Sequence, residues 1–512
     1  MNTPHITPRP VPAALLLSAA LLAVSACSGA DPAAEAGSDA DGDTLRYAAT
    51  GSPSTATHDP HGGVGNESDS LRFGLLYDVL AVPGDDGATE LRLAESIEPA
   101  DEELVEWTIA LRPDAVFSDG SPVRAADVLH SLRRIEDKAA ENFGRLGMFD
   151  FAASEAVDDH TLTIVADQPY ADVPRALEAV TFVVPEGTED FTEPVPGSGP
   201  FLFAEGDAEN AVLERNDDWW GPAPPLDRVE ISAVADPQAR AQAVSAGQAD
   251  VGSSVSASSV AAAEEGDLQV VQRPAVTMYP FVMRLDTPPF DDPDVRAAFR
   301  LAADRDQLVE TVFLGYGQVG DDLIAPADPA SPETEGRERD VERARELLAD
   351  AGHADGLEVV LHTTTSYPGM DTAATLYAEQ LAEVGVDVEI SMDPPDTYWT
   401  DVFAQEPFYT GFYGGIPFTD IATVALLSDA PTNETAWERP EWDAAFDEAL
   451  ATADTGERDG ILADLMLEVR DEGGYVQWGT GDGIDLAAAN VADLPDGPGF
   501  DKLFIDQVRL TD

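Results

Sequence analysis

The sequence predicts an α/β protein built in two or three lobes. Three observations lead there. The chain has 512 residues, more than one ordinary hydrophobic core accommodates. Segments of alternating hydrophobicity are interleaved with segments of helical period. Late in the chain a strand, a helix and a second strand follow one another, which implies parallel pairing across a crossover.

The elements follow in order. Residues 104–112 place Val105, Trp107, Ile109 and Leu111 on one face, the pattern of a strand. Asp119-Gly120 then signals a turn. Val128, Leu129, Leu132 and Ile135 recur at helical spacing, and Leu162 and Ile164 mark a further strand. Residues 181–184 are a short buried run that stops at Pro185. Val295, Ala298, Phe299 and Ala302 form a helical face. Asp304 caps the next helix, with Gln307 in the capping-box position and Gly315 as the stop. Asp340 caps a helix carrying Val341, Ala344, Leu347 and Leu348, closed by Gly352. A strand at 357–361, a helix at 372–384 and a strand at 386–390 complete the crossover unit. There is no internal repeat.

The N-terminus reads as an address followed by an anchor. Residues 11–26 are an apolar run of signal-peptide length, too short for a comfortable membrane span, with Arg9 ahead of them. The run ends in Val24-Ser25-Ala26-Cys27, the pattern of a bacterial lipobox, and Cys27 is the only cysteine. The expectation is a signal peptide at 1–26 and a lipid on the Cys27 thiol. The alternative is an ordinary secretory signal with a chance cysteine. Residues 27–43 are small and acidic and form a lipidated flexible tether. One cysteine excludes an internal disulfide and a cysteine-based zinc site.

Charge excludes further classes. There are 98 Asp+Glu against 28 Lys+Arg, a formal net charge of -70. Only Lys138 and Lys502 are lysines. Such a surface repels nucleic acid. It reflects either adaptation to high salt or a biased genomic composition, and neither specifies a ligand.

Catalytic and cofactor motifs are missing. Neither lysine follows a glycine, so no phosphate loop exists. There is no G-x-S-x-G elbow and no H-E-x-x-H helix. No cofactor is expected. His58 and His61 lie three apart in THDPHGG, a spacing open to a metal but more often found in a solvated loop. His362, in a strand, reads as a hydrogen-bonded structural histidine. Pairs of carboxylates carry no weight among so many acids. The positive clue is aromatic. Tyr398, Trp399, Phe403, Phe408, Tyr409, Phe412, Tyr413 and Phe418 crowd residues 398–418, broken by Gly411, Gly414 and Gly415. Aromatics on an irregular, glycine-rich stretch suit a ligand-lining surface. The competing reading is a core segment packed between lobes.

Several stretches together resemble the dipeptide/oligopeptide/nickel-type solute-binding proteins of ABC importers, family 5. They are LAESIE at 93–98, WTIALRPDAVFSDGSPVRAADVLHSLRRI at 107–135, GSGPF at 197–201, LERNDDWWG at 213–221 and AVSAGQADV at 243–251. DPDVRAAFRLAADRDQLVETVFLGYG at 292–317, ARELLADAGH at 344–353 and LAEVGVDVEI at 381–390 extend the match. The resemblance implies a periplasmic-binding-protein-like type II (cluster C) fold, with two lobes, an extra subdomain and a hinged cleft. Lobe I would take 44–80, 181–278 and 480–512, the subdomain 81–180, and lobe II 279–479. It implies a monomeric lipoprotein on the outer face of the cell membrane that captures a solute, most plausibly a peptide, and delivers it to an ABC permease and ATPase. It does not imply an enzyme.

The expected ligand residues are Asn66, Glu67, Tyr279, Tyr367, Tyr398, Trp399, Tyr409, Phe412, Tyr413, Gly415 and Asp420. Two departures from the family pattern bear on the ligand. Peptide binders often hold the peptide amine with an Asp where this chain has Gly415, with Asp420 further on. Dipeptide binders use an Arg in the loop that here reads Thr365-Ser366-Tyr367-Pro368-Gly369. These departures disfavour a zwitterionic dipeptide. They leave a larger peptide held by backbone contacts, or an uncharged solute such as an oligosaccharide. From other classes, a secreted hydrolase and a lipoprotein sensor remain as alternatives.

Overall fold

Alternation in the sequence becomes a half-buried strand at Glu106–Leu111. Trp107, Ile109 and Leu111 turn inward, and Glu106, Thr108 and Ala110 turn away from the core. The computed structural model describes residues 43–511, apart from 53, 63–65, 85–87, 139–145, 179–180, 261–262, 264–266 and 498–503. The expected signal peptide and Cys27 lie outside the described residues.

Glu106–Leu111 belongs to an antiparallel sheet ordered Ala94–Pro99, Glu106–Leu111, Thr161–Ala166, Phe149–Ala156. Helix Ala125–Asp137 covers it, burying Val128, Leu129, Leu132 and Ile135. This unit falls within residues 81–180, the stretch that the resemblance assigns to the extra subdomain. Loop residues fasten it to the chain before it. Asp59 pairs with Arg134 and Lys138. Burial opposes ionisation of Asp59, but these two cations and the His61 amide hold its carboxyl down at about 2.

A nine-stranded sheet forms the core of lobe I. Thr44–Ala49 runs parallel to Arg228–Ala233 and to Val251–Gly252. Leu45, Tyr47, Phe73, Leu213, Val229 and Ile231 share its hydrophobic core. A five-stranded sheet forms lobe II, ordered Val386–Met392, Leu357–Thr363, Phe408–Thr410, Phe281–Met283, Tyr475–Val476. Leu357–Thr363 and Val386–Met392 are parallel, with helix Met370–Glu383 as the crossover, as the periodicity predicts. Gly385 joins that helix to the second strand at φ +92°, a backbone region that costs glycine little.

The sheets are linked by long strands. Gln269–Met278 and Gly479–Ala487 pair antiparallel in lobe I, and the chain passes from them into Phe281–Met283 and out of Tyr475–Val476 in lobe II. The pairing is irregular between Arg273 and Thr277, where Ala275 takes φ +55°. Beside this bend Arg273 and Asp485 form a buried ion pair at 3.1 Å.

Arginine does the buried cationic work in this lysine-poor chain. Arg296 donates to Glu472 O at 2.9 Å, and Arg300 donates to Gly473 O at 2.8 Å and Asp471 O at 2.7 Å. These bonds satisfy the open carbonyls at the end of helix Thr455–Glu472. Arg305 donates to both oxygens of the fully buried Asp322, at 2.7 and 2.8 Å. One terminal amino group, Nη2, makes both bonds.

The structure revises one local expectation. Asp304 does accept from the Gln307 amide, at 3.1 Å, but Gln307 does not close a capping box. The Asp304 amide instead donates to Gln380 Oε1 at 2.9 Å, and Gln380 donates to Gln307 Oε1 at 3.1 Å. A residue from a neighbouring helix takes the local partner's place.

Candidate functional site

The glycine-broken aromatic stretch divides into two parts. The first faces the interior of lobe II. Tyr398 is fully buried, and its hydroxyl donates to Thr410 O at 2.8 Å. Tyr409 is also fully buried and donates to Glu434 O at 3.0 Å. Their phenol groups are pushed far up, first by burial. In this structure neither residue presents a surface to a cleft. Each carries a hydroxyl that needs a buried acceptor, and each finds it in the lobe.

The second part is a half-buried aromatic cluster. Tyr367 stacks on Phe412, with centroids 3.8 Å apart and planes 4° from parallel. Trp399 stands edge-on to Tyr367 at 5.9 Å, and Tyr279 lies 6.1 Å from Phe412. Tyr279 also donates to Pro368 O, which ties down the loop that carries Tyr367. Tyr413 is mostly buried in the short strand Tyr413–Gly414, opposite Met278.

Asn66 and Glu67 belong to lobe I, at the start of helix Glu67–Leu76. Asn66 is buried and organises the preceding loop. It accepts from Ser52 N and Thr55 Oγ1 and donates to Asp69. Glu67 is half-buried and accepts from Ser254 Oγ at 3.0 Å. The expected solvated loop at His58 and His61 is not what forms. His61 is buried, with Nε2 on Phe182 O at 2.7 Å and Nδ1 facing Arg134 at 2.8 Å. Burial pulls its pKa down to about 4, so it stays neutral. His362 meets Asp393 at 2.9 Å in its strand. Among the described residues no three His, Cys, Asp or Glu side chains converge as a metal site.

A cavity of about 1020 Å³ opens where the two lobes and the subdomain meet. Lobe II supplies Gly415, Ile416, Asp420 and Arg458; lobe I supplies Trp219, Trp220, Phe504 and Asp506; the subdomain supplies Arg92, Arg112, Tyr170 and Arg175. Of the eleven expected ligand residues, Gly415 and Asp420 line this cavity. Gly415 packs so closely on the bend between the lobes that a Cβ there would sit 2.8 Å from Ala275 O. The aromatic cluster around Phe412 lies three residues before it in sequence.

The floor of the cavity is a buried polar network. Asp78 pairs with Arg92 at 2.7 Å and accepts from the indoles of Trp219 and Trp220 at 3.3 and 2.7 Å. Arg92 lies between the rings of Trp219 and Phe504 and reaches Asp506 at 3.4 Å. Toward lobe II, Arg175 meets Asp328 at 3.6 Å and Arg458 meets Asp172 at 3.1 Å. The Ala171 amide donates to Leu450 O. The subdomain is thus joined to lobe II across the cavity wall.

A family model for bacterial extracellular solute-binding proteins, family 5, middle region, matches residues 89–433. The chain belongs to this family. A glutathione-binding protein, GsiB of Pectobacterium atrosepticum, is 26% identical over 401 residues, 74% of this chain and 77% of the relative. Two solved structures share the fold. HbpA2 of Haemophilus parasuis aligns with a TM-score of 0.82 at 19% identity, covering 92% of this chain and all (100%) of that one. The periplasmic binding protein DppA of Helicobacter pylori, in complex with the peptide STSA, aligns at 0.72 with 20% identity, covering 92% of this chain and 98% of that one.

As a family 5 solute-binding protein the chain works outside the cytoplasm with an ABC importer, and it is a binding protein, not a catalyst. Its fold is the two-lobed type II architecture that the resemblance implies. Sequence reasoning concentrated on residues 398–418 and gave no role to Arg92, Arg112, Tyr170, Trp219, Trp220 or Phe504, which line the cavity. The sequence carries one signal for them: Trp219-Trp220 is a pair of large aromatics running into a Gly/Pro-rich stretch, GPAPP. The arginines carried none, because their neighbours come from distant segments.

Proposed function

We propose that this family 5 protein is a lipid-anchored, monomeric receptor that captures a peptide longer than a dipeptide for an ABC importer. The observation that carries the reading is the cavity. Its volume of about 1020 Å³ stands at the upper end of ordinary ligand sites. Its walls combine aromatic faces with fixed charges of both signs, which suits a chain bearing apolar side chains and polar ends. The relative named for glutathione and the structural neighbour holding a peptide both point to peptide-type solutes. Of the expected contacts, Gly415 and Asp420 lie in this cavity, and Asn66, Glu67 and the aromatic cluster of Tyr279, Tyr367, Trp399, Phe412 and Tyr413 lie outside its lining.

Aromatic walls also stack on sugar rings, so an uncharged oligosaccharide is the second reading. Native mass spectrometry of the purified protein separates the two. A co-purified mass that fragments into amino-acid residues supports the peptide reading. A ladder of hexose masses overturns it.

A further inference from the structure

Arg112 stands apart from the other cations of the cavity. Arg92 pairs with Asp78 and Asp506, Arg175 with Asp328, and Arg458 with Asp172. Arg112 has no carboxylate partner among the described residues. It lies over Trp220, with its guanidinium carbon 3.6 Å from the ring centroid, and its Nε donates to the Arg92 carbonyl. Trp220 is itself fixed, because its indole donates to the buried Asp78. The two terminal amino groups of Arg112 make no hydrogen bond to any described residue, and the half-buried side chain lines the cavity.

We propose that Arg112, held on Trp220, receives a carboxylate of the captured solute. The inference rests on the cavity's being the capture site and deepens the peptide reading by placing one end of the ligand. A guanidinium offers two parallel N–H donors that match a carboxylate in one plane. Stacking on a fixed ring holds that plane before the ligand arrives, so little side-chain freedom is lost on binding. Lobe II lines the cavity with Asp328, Asp420 and Asp459 against Arg458, whose Nε lies 4.0 Å from Asp459, so that wall is net acidic and favours a cationic end of the solute. A zwitterion with its carboxylate on Arg112 meets both requirements, and a dianion does not. This also accounts for the loop Thr365-Ser366-Tyr367-Pro368-Gly369 having no cation: the carboxylate is read from the subdomain side.

The test compares tetra-alanine with tetra-alanine amide by calorimetry on the wild type, Arg112→Gln and Arg112→Lys, each with its thermal melt. A second arm titrates butyrate at millimolar concentrations and follows tryptophan fluorescence. The wild type should prefer the free acid by at least about tenfold, the scale of a charge-assisted hydrogen bond. Arg112→Gln should bind acid and amide alike, and Arg112→Lys should keep part of the preference. Butyrate should give a saturable change in the wild type that Arg112→Gln abolishes. If Arg112→Gln still prefers the acid, or butyrate acts on it as on the wild type, the subsite is wrong. If butyrate gives no saturable change in the wild type, the subsite is also wrong. If neither tetrapeptide binds while butyrate still shows Arg112-dependent saturation, the peptide reading fails and the carboxylate subsite stands.

Discussion

Asp78 and Arg92 form an ion pair at 2.7 Å with both side chains almost wholly removed from solvent. Asp78 also anchors the indoles of Trp219 and Trp220, so one carboxylate positions three side chains of the cavity. Asp78→Ala leaves the Arg92 charge buried beside a single, longer partner, Asp506. Breaking such a pair costs about 3–5 kcal/mol. Urea denaturation of the variant should show a loss of that order. A loss within the error of the wild-type curve would mean that the network does not hold the cavity floor.

Glu434 makes the stability of the protein depend on pH. Its carboxyl is fully buried in lobe II, where Tyr475 donates to it at 2.9 Å and the Tyr409 hydroxyl oxygen lies 3.3 Å away. Burial pushes its pKa from the ordinary 4.5 up to about 8, against the pull of the two phenols. Between these values the folded state holds a proton that the unfolded state has released. The stabilisation is therefore complete below about 4.5, falls as pH rises toward about 8, and is level above it. The slope is about 1.4 kcal/mol per pH unit for one proton. Glu434→Gln keeps the acceptor for Tyr475 and removes the titration. The difference in unfolding free energy between variant and wild type should grow in the variant's favour from pH 5 to pH 8. A difference that stays constant would show that Glu434 ionises normally.

Gly415 joins the cavity to the bend between the lobes. With a Cβ 2.8 Å from Ala275 O, Gly415→Ala forces one of two backbones to move. Overpacking of this kind costs about 1–3 kcal/mol. The melting temperature should fall, and ligand affinity should fall with it because the moved segment lines the cavity. Unchanged affinity alongside a lowered melting temperature would take Gly415 out of the binding surface.

Anchoring is tested at Cys27. Cys27→Ala should release the protein from membranes into the soluble fraction, and the wild type should carry an acyl mass on its N-terminal peptide. An unmodified cysteine in the wild type would remove the lipid anchor from the account and leave solute capture untouched.

Local elements were legible where local chemistry sets them. Trp107, Ile109 and Leu111 alternate because one face of their strand is buried, and Asp340 precedes its helix because its side chain accepts from the Arg343 amide. Long-range partners were not legible. Nothing adjacent to Asp304 in sequence announces Gln380, and nothing near Arg92 announces Asp78 or Asp506. The aromatic stretch showed the same limit. Its composition cannot separate Tyr398, whose hydroxyl reaches Thr410 inside the lobe, from Phe412, which stacks on Tyr367 in a half-buried cluster. Both roles require a large ring, and only the fold decides which way each ring points.

The central claim is that the cavity between the lobes and the subdomain takes a peptide longer than a dipeptide. Calorimetric titration of the mature protein with mixed-sequence peptide pools of fixed length, from two to five residues, tests it most directly. The account predicts saturable binding to at least one pool of three residues or more, and markedly weaker binding to the dipeptide pool. Heats no larger than dilution for every peptide pool, beside saturable binding of a maltooligosaccharide, would contradict it.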